Sequence, residues 1–182
     1  MPEALALIEL SSIARGHVVA DAMLKRAPVT LRRADWVSPG KFLVLVEGDV
    51  AAVEEAFRAG ADIGGDRVVD RLFLPQPHAS LWPALDGGAT AAGGVDSLGI
   101  VETTTVAAAL LGADAAAKAA AVRLVELQLA RGIGGKAFFT LTGALADVEA
   151  AVEAAVGILD ATLLQATEII AAPHADLAGQ LR

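Results

Sequence analysis

The chain has 182 residues, room for one domain or two small ones, and an apolar share of 55% against 20% charged is rich for a protein that works as a monomer in water. A formal net charge of −8 without any Lys/Arg-rich run excludes the electrostatic footprint of a nucleic-acid binder. The absence of cysteine excludes disulfides, thiolate metal sites and cysteine nucleophiles, and is compatible with a reducing cytosol.

Residues 4–10 read as a strand and not as part of a leader, because no basic segment precedes them and Glu9 interrupts the apolar run. No unbroken apolar stretch reaches the ~18–20 residues a spanning helix needs, so a soluble, cytoplasmic protein without membrane partners is expected. Ser11 and Ser12 can cap a following helix, on which Ala14, Val18 and Ala22 recur every four residues with Met23 beside them, predicting that face as its apolar one. Pro28 ends that helix. Residues 29–37 and 41–47 read as two strands joined by Ser38-Pro39-Gly40, a tight-turn composition. A second helix starts near Asp49 with Val50, Val53 and Phe57 along one face. Residues 67–74 form the last strand, and Pro75-Gln76-Pro77 precedes a short helix containing Leu81 and Trp82. The order β-α-β-β-α-β with a terminal helix is the split βαβ arrangement of α+β, ferredoxin-like folds. In the strand 41–47 both alternating sets are apolar, Phe42/Val44/Val46 and Leu43/Leu45, so a neighbouring domain or protomer must cover the second face.

The chain then repeats itself. Ile8-Glu9 returns as Val101-Glu102, Asp21 as Asp114, Lys25 as Lys118 and Val29 as Val122, every pair 93 positions apart. Lys41/Lys136, Gly48/Gly143, Val53/Val148 and Glu54/Glu149 are 95 apart, and Pro77-His78 and Pro173-His174 are 96 apart. Offsets that hold through a segment and step only at loop-like places mark a duplication. Residues 86–97, with four glycines among small residues, have the composition of a connector, which gives a first domain at 1–85, a linker at 86–97 and a second domain at 98–182.

Ala22-Met23-Leu24-Lys25, Gly40-Lys41, Gly48-Asp49-Val50 with Val53 and the two Pro-His pairs resemble the shell domain of bacterial microcompartments, in both copies. Gly99-Ile100-Val101-Glu102-Thr103, Ala113-Asp114 and Gly132-Ile133-Gly134-Gly135-Lys136 are similar to the tandem-domain shell proteins of the propanediol-utilisation type, with the non-permuted strand order. The resemblance implies two tandem ferredoxin-like shell domains, a homotrimeric, pseudohexagonal tile that assembles with hexameric and pentameric shell tiles, and a central pore for small polar metabolites. It implies a structural protein of the microcompartment shell, not an enzyme. The implied pore loops are Ser38-Pro39-Gly40 and Arg131-Gly132-Ile133-Gly134-Gly135, with Ser38 closest to the threefold axis. Related tandem proteins carry at that position a cysteine whose three copies hold an iron–sulfur cluster. Ser38 removes the ligand, so no cofactor or metal is expected.

Lys25 and Lys118 are surface solubilisers on residue type alone, and tile-edge lysines by the resemblance. Gln76-Pro77-His78 and Pro173-His174 match the family's edge motif, but its usual arginine is Gln76 in one copy and Ala172 in the other, which weakens the seam expected there. His78 and His174 have the chemistry of an acid–base pair, yet no matched carboxylate, serine or ligand cluster accompanies either, and capping the last helix or packing at the edge fits better. His17 carries no assignment, and Glu9/Glu102 and Asp21/Asp114, one per copy, read as structural. The glycines of 132–135 lack the Lys-Ser/Thr pair and the strand-to-helix turn of a phosphate loop. A trimeric small-molecule-binding regulator on the same scaffold is the alternative function, since fold does not fix function.

Overall fold

In a computed structural model that describes residues 2–87 and 94–181, the split βαβ pattern is written twice. The first copy runs β1 (Ala4–Leu10), α1 (Ile13–Arg26), β2 (Thr30–Val37), β3 (Lys41–Gly48), α2 (Val50–Gly64), a 3-10 turn (Gly65–Arg67), β4 (Val68–Pro75) and α3 (Leu81–Leu85). The second runs β5 (Ser97–Thr103), α4 (Val106–Ala119), β6 (Arg123–Leu129), β7 (Ala137–Gly143), α5 (Leu145–Ile158), β8 (Leu164–Ala171) and α6 (Ala175–Ala178). Each sheet is antiparallel, ordered β2-β3-β1-β4 and β6-β7-β5-β8, the ferredoxin-like order. Residues 88–93 of the expected linker lie outside the described residues.

The chain divides into two compact units, 1–77 with 130–135, and 78–129 with 136–182. In the first, the helix-side faces of β1 and β3 supply Ala4, Ala6, Ile8, Leu10, Phe42, Val44 and Val46 to a core closed by Val19, Met23, Val53 and Ala56. The opposite face is buried too: Leu5, Leu7, Leu43 and Leu45 are all shielded from solvent, as the two-sided apolar pattern of β3 requires.

Local chemistry starts the helices where the sequence places them. The Ser12 hydroxyl accepts from the Arg15 amide, Asp49 from Ala52 and Thr105 from Ala108, each satisfying a first-turn N–H that no intrahelical carbonyl can reach. One expectation fails. Ala14 and Val18 of α1 face outward, and the buried face is Gly16, Val19, Ala20 and Met23. Gly16 decides the rotation, because a Cβ there would stand 2.2 Å from the Phe42 ring. The helix therefore lays its bare backbone on that ring, a contact no count of apolar side chains detects.

Strand registers locate the repeat's offsets. Phe42 and Ala137 occupy the same place, and the two added residues fall in the β6–β7 loop. The third falls between α5 and β8, where the Asp160 carboxylate accepts from both the amide and the hydroxyl of Thr162, which holds its titration below the usual aspartate range.

Candidate pore loops and edge groups

Ser38-Pro39-Gly40 turns β2 into β3, with the Gly40 amide donating to the Val37 carbonyl at 2.9 Å and Gly40 at φ +99°. Against this turn lies the loop 130–135, which belongs to the same compact unit although it comes from the second copy. Its glycines at 132, 134 and 135 all take positive φ, and Gly135 is also buried, so that a Cβ would sit 2.9 Å from Pro39 Cδ and 3.2 Å from the Ser38 carbonyl oxygen.

Two ionic contacts fasten the loop. Lys41 Nζ donates to Glu9 Oε1 at 2.7 Å and to the Gly135 carbonyl at 3.3 Å. Glu9 is wholly buried on the sheet face away from the helices, so the ammonium answers a carboxylate that water cannot solvate. Arg131 Nη2 reaches Asp35 Oδ2 at 3.4 Å, while Arg33 Nε donates to Asp35 Oδ1 at 2.5 Å. A shallow cavity of about 260 Å³ opens beside the junction, lined by Asp35, Trp36, Val37, Ser38, Arg131 and Gly132. Arg131, Gly132, Ile133 and Gly134 are exposed. The structure thus brings all the expected loop residues together. It adds Lys41, Glu9 and Asp35, whose signal in the sequence was a lysine beside the hairpin glycine and a glutamate inside an apolar strand.

The arrangement offers hydroxyl, amide and guanidinium groups for polar contact. Among the described residues no group of three or more His, Asp or Glu is placed to hold a metal ion, and no helix is long and apolar enough to cross a membrane.

The residues expected at an edge fall into unlike surroundings. Lys25 Nζ pairs with Asp21 at 2.7 Å, one turn away on α1 and open to water. Lys118 Nζ pairs with Asp114 at 2.6 Å on α4, but Asp114 is buried and also accepts from the His78 amide at 2.6 Å. The His78 ring takes Ser80 as partner, Nδ1 to Oγ at 2.8 Å, and His174 Nδ1 accepts from the Asp176 amide at 3.2 Å as the N-cap of α6. Both imidazoles are thus engaged at the start of the final helix of their copy. Gln76 and Ala172 share a left-handed backbone, φ +50° and +48°, immediately before Pro77 and Pro173.

Two copies of one split βαβ domain in tandem, with two glycine-rich loops set together, define the class of the chain. The BMC-domain profile matches residues 4–77 and again 97–173. The chain is 42% identical over 185 aligned positions to the bacterial microcompartment shell protein PduT of Citrobacter freundii, covering 100% of this chain and 98% of that protein. It is 40% identical over 88 positions to the carboxysome shell protein CsoS1 of Prochlorococcus marinus, covering 47% of this chain and 85% of that one. A solved microcompartment protein from Desulfitobacterium hafniense superposes with a TM-score of 0.87 at 43% identity, over 97% of this chain and 98% of its own. The fused permuted hexameric shell protein of the RMM microcompartment shares the fold, with a TM-score of 0.59 at 22% identity over 84% of this chain and 79% of its own. The chain belongs to the BMC-domain family and is a shell protein of a bacterial microcompartment, with two BMC domains in tandem. These relatives are structural proteins and not enzymes.

Proposed function

We propose that three copies of this chain form a pseudohexagonal tile whose centre is a pore for small polar metabolites, and that such tiles join hexameric and pentameric tiles in the shell. The reading takes 1–85 and 98–182 as the two domains and 86–97 as their linker. The observation that carries it is the junction of the Ser38 hairpin with the loop 131–135, which sets two polar, glycine-rich loops side by side and pins them through Lys41 and Asp35. Ser38 stands nearest the axis in this reading, and Lys25, Lys118, Gln76, Pro77, His78, Pro173 and His174 lie toward the tile edge. Closed symmetry supports it, because a ring satisfies apolar surface that a single chain leaves open.

Light scattering at micromolar concentration should give the mass of three chains, and electron microscopy of concentrated protein should show flat sheets or closed shells. A monomer in the first measurement overturns the trimer. Discrete, ligand-sensitive trimers in the second favour a regulator over a tile.

A further inference from the structure

The connection from β1 into α1 is tied to the start of β4 by backbone and hydroxyl groups. The Ser11 amide and hydroxyl both donate to the Arg67 carbonyl, at 2.8 and 3.2 Å, and the Ser12 hydroxyl accepts from the Arg15 amide at 3.3 Å. These bonds bring two arginines to the rim of one open cavity of about 570 Å³, lined by Ser11, Ser12, Ala14, Arg15, Val18 and Arg67. Leu10 pairs with both Phe42 and Val68, so the cavity stands at the hairpin end of the first sheet.

Neither guanidinium is committed to a carboxylate. Arg26, Arg32, Arg33 and Arg58 each hydrogen-bond an aspartate or glutamate. Among the described residues, Arg15 instead reaches the Ile63 carbonyl at 3.5 Å, and Arg67 has Asp66 at 3.7 Å, too long for a hydrogen bond and open to water. In a chain with 22 acidic and 14 basic residues, two like charges on one cavity with no acid between them disfavour each other, and a bound anion reverses that.

The second copy has the same frame without the charges. Thr104 donates to the Leu163 carbonyl through its amide at 2.9 Å and its hydroxyl at 3.4 Å, as Ser11 does to Arg67, and Thr105 caps α4 as Ser12 caps α1. Yet Ala108 and Leu163 stand where the first copy has Arg15 and Arg67. A helix end with free N–H groups occurs in both copies and does not single the place out. The pair of cations does.

We infer that the cavity between α1 and β4 binds a phosphate group, free or carried by a small metabolite. A guanidinium presents a planar fork of N–H donors that matches two phosphate oxygens, and two such forks can bridge one dianion. The Ser12 hydroxyl, whose oxygen serves the helix cap, still has its proton to donate. A carboxylate has one charge and two oxygens, enough for one fork and not for both. The site lies within one compact unit, so it needs neither the proposed trimer nor the pore.

Calorimetric titration at fixed ionic strength, with inorganic phosphate and separately with glycerol 3-phosphate, should show saturable binding of one ligand per chain, and acetate should bind about tenfold or more weakly. Arg15→Gln and Arg67→Gln should each weaken phosphate binding by about tenfold or more, and because both side chains are open to water neither change threatens the fold. Arg71→Gln, at an exposed position further along β4, should leave binding unchanged. Tighter binding of the ester than of inorganic phosphate assigns the site to a metabolite-borne group, and the reverse to the free ion. Absence of saturable binding by both overturns the inference, and so does binding that survives in Arg15→Gln/Arg67→Gln. An equal loss in Arg71→Gln overturns it as well, since the anion then answers to overall charge, and acetate binding as tightly as phosphate overturns the ligand class. A wild type that scatters as a monomer would remove the trimer and leave this titration standing.

Discussion

Lys41 shows how one side chain can serve a core and a loop at once. Its ammonium lies between the buried Glu9 carboxylate and the Gly135 carbonyl, so the charge that makes Glu9 tolerable inside the sheet also holds the loop 130–135 on the hairpin. Removing one member of a buried pair takes away the other's countercharge, which costs about 3–5 kcal/mol, whereas replacing both with apolar groups is often close to neutral. Lys41→Met should therefore lower the unfolding free energy by roughly 3 kcal/mol in urea titration, and Glu9→Leu/Lys41→Met should recover most of that loss. If the double variant is as unstable as the single one, the ion pair is not the main role of Lys41. The same substitution should leave Gly135 with one contact fewer, and faster amide exchange in 130–135 is the expected sign.

At the scale of elements, the fit of α1 to the sheet turns on the bare backbone at Gly16. A methyl there gains about 1 kcal/mol of helix propensity but drives into Phe42 at 2.2 Å. Overpacking of a filled core costs about 1–3 kcal/mol, so Gly16→Ala should be destabilising on balance. Gly157 on α5 is the control, since nothing stands within 4 Å of the position its Cβ would take. Gly157→Ala should be neutral or stabilise by about 0.5 kcal/mol, because it narrows the unfolded ensemble without a clash. Thermal melts of the two variants should move in opposite directions or differ clearly in size; equal shifts would show that helix propensity and not packing governs both sites.

For the whole molecule, the two lysines expected at the tile edge differ in freedom. Lys25 rests on a surface aspartate one turn away, a pair of the kind that contributes little and rearranges readily. Lys118 is tied to a buried aspartate that the His78 amide also holds. Replacing both with alanine should leave the proposed trimer intact in light scattering and impair the joining of the proposed tiles in electron microscopy. Lys25→Ala alone should cause the larger part of the defect, because Lys25 is the freer to reach a neighbour. Sheets that form as readily from the double variant as from wild type would remove both lysines from the edge.

Duplication, strand order and the helix starts were legible in the chain because each is written in local or periodic signals: a constant offset, alternation along strands, and serine, threonine or aspartate ahead of a helix. The residues Ser38–Gly40 and 131–135 could be singled out for the same reason, since turn chemistry is local. The buried face of α1 was not legible, because it depends on Phe42 filling the space that Gly16 leaves, and composition along one helix is blind to its partner. Nor was the link from Glu9 through Lys41 to Gly135, which joins residues more than ninety positions apart. The sequence presents α1 and α4 as equals. Only tertiary structure separates them, because burial is decided by which atoms come to occupy the neighbouring space: Val106 and Leu110 of α4 are buried, whereas Ile13 and Leu24 of α1 are exposed.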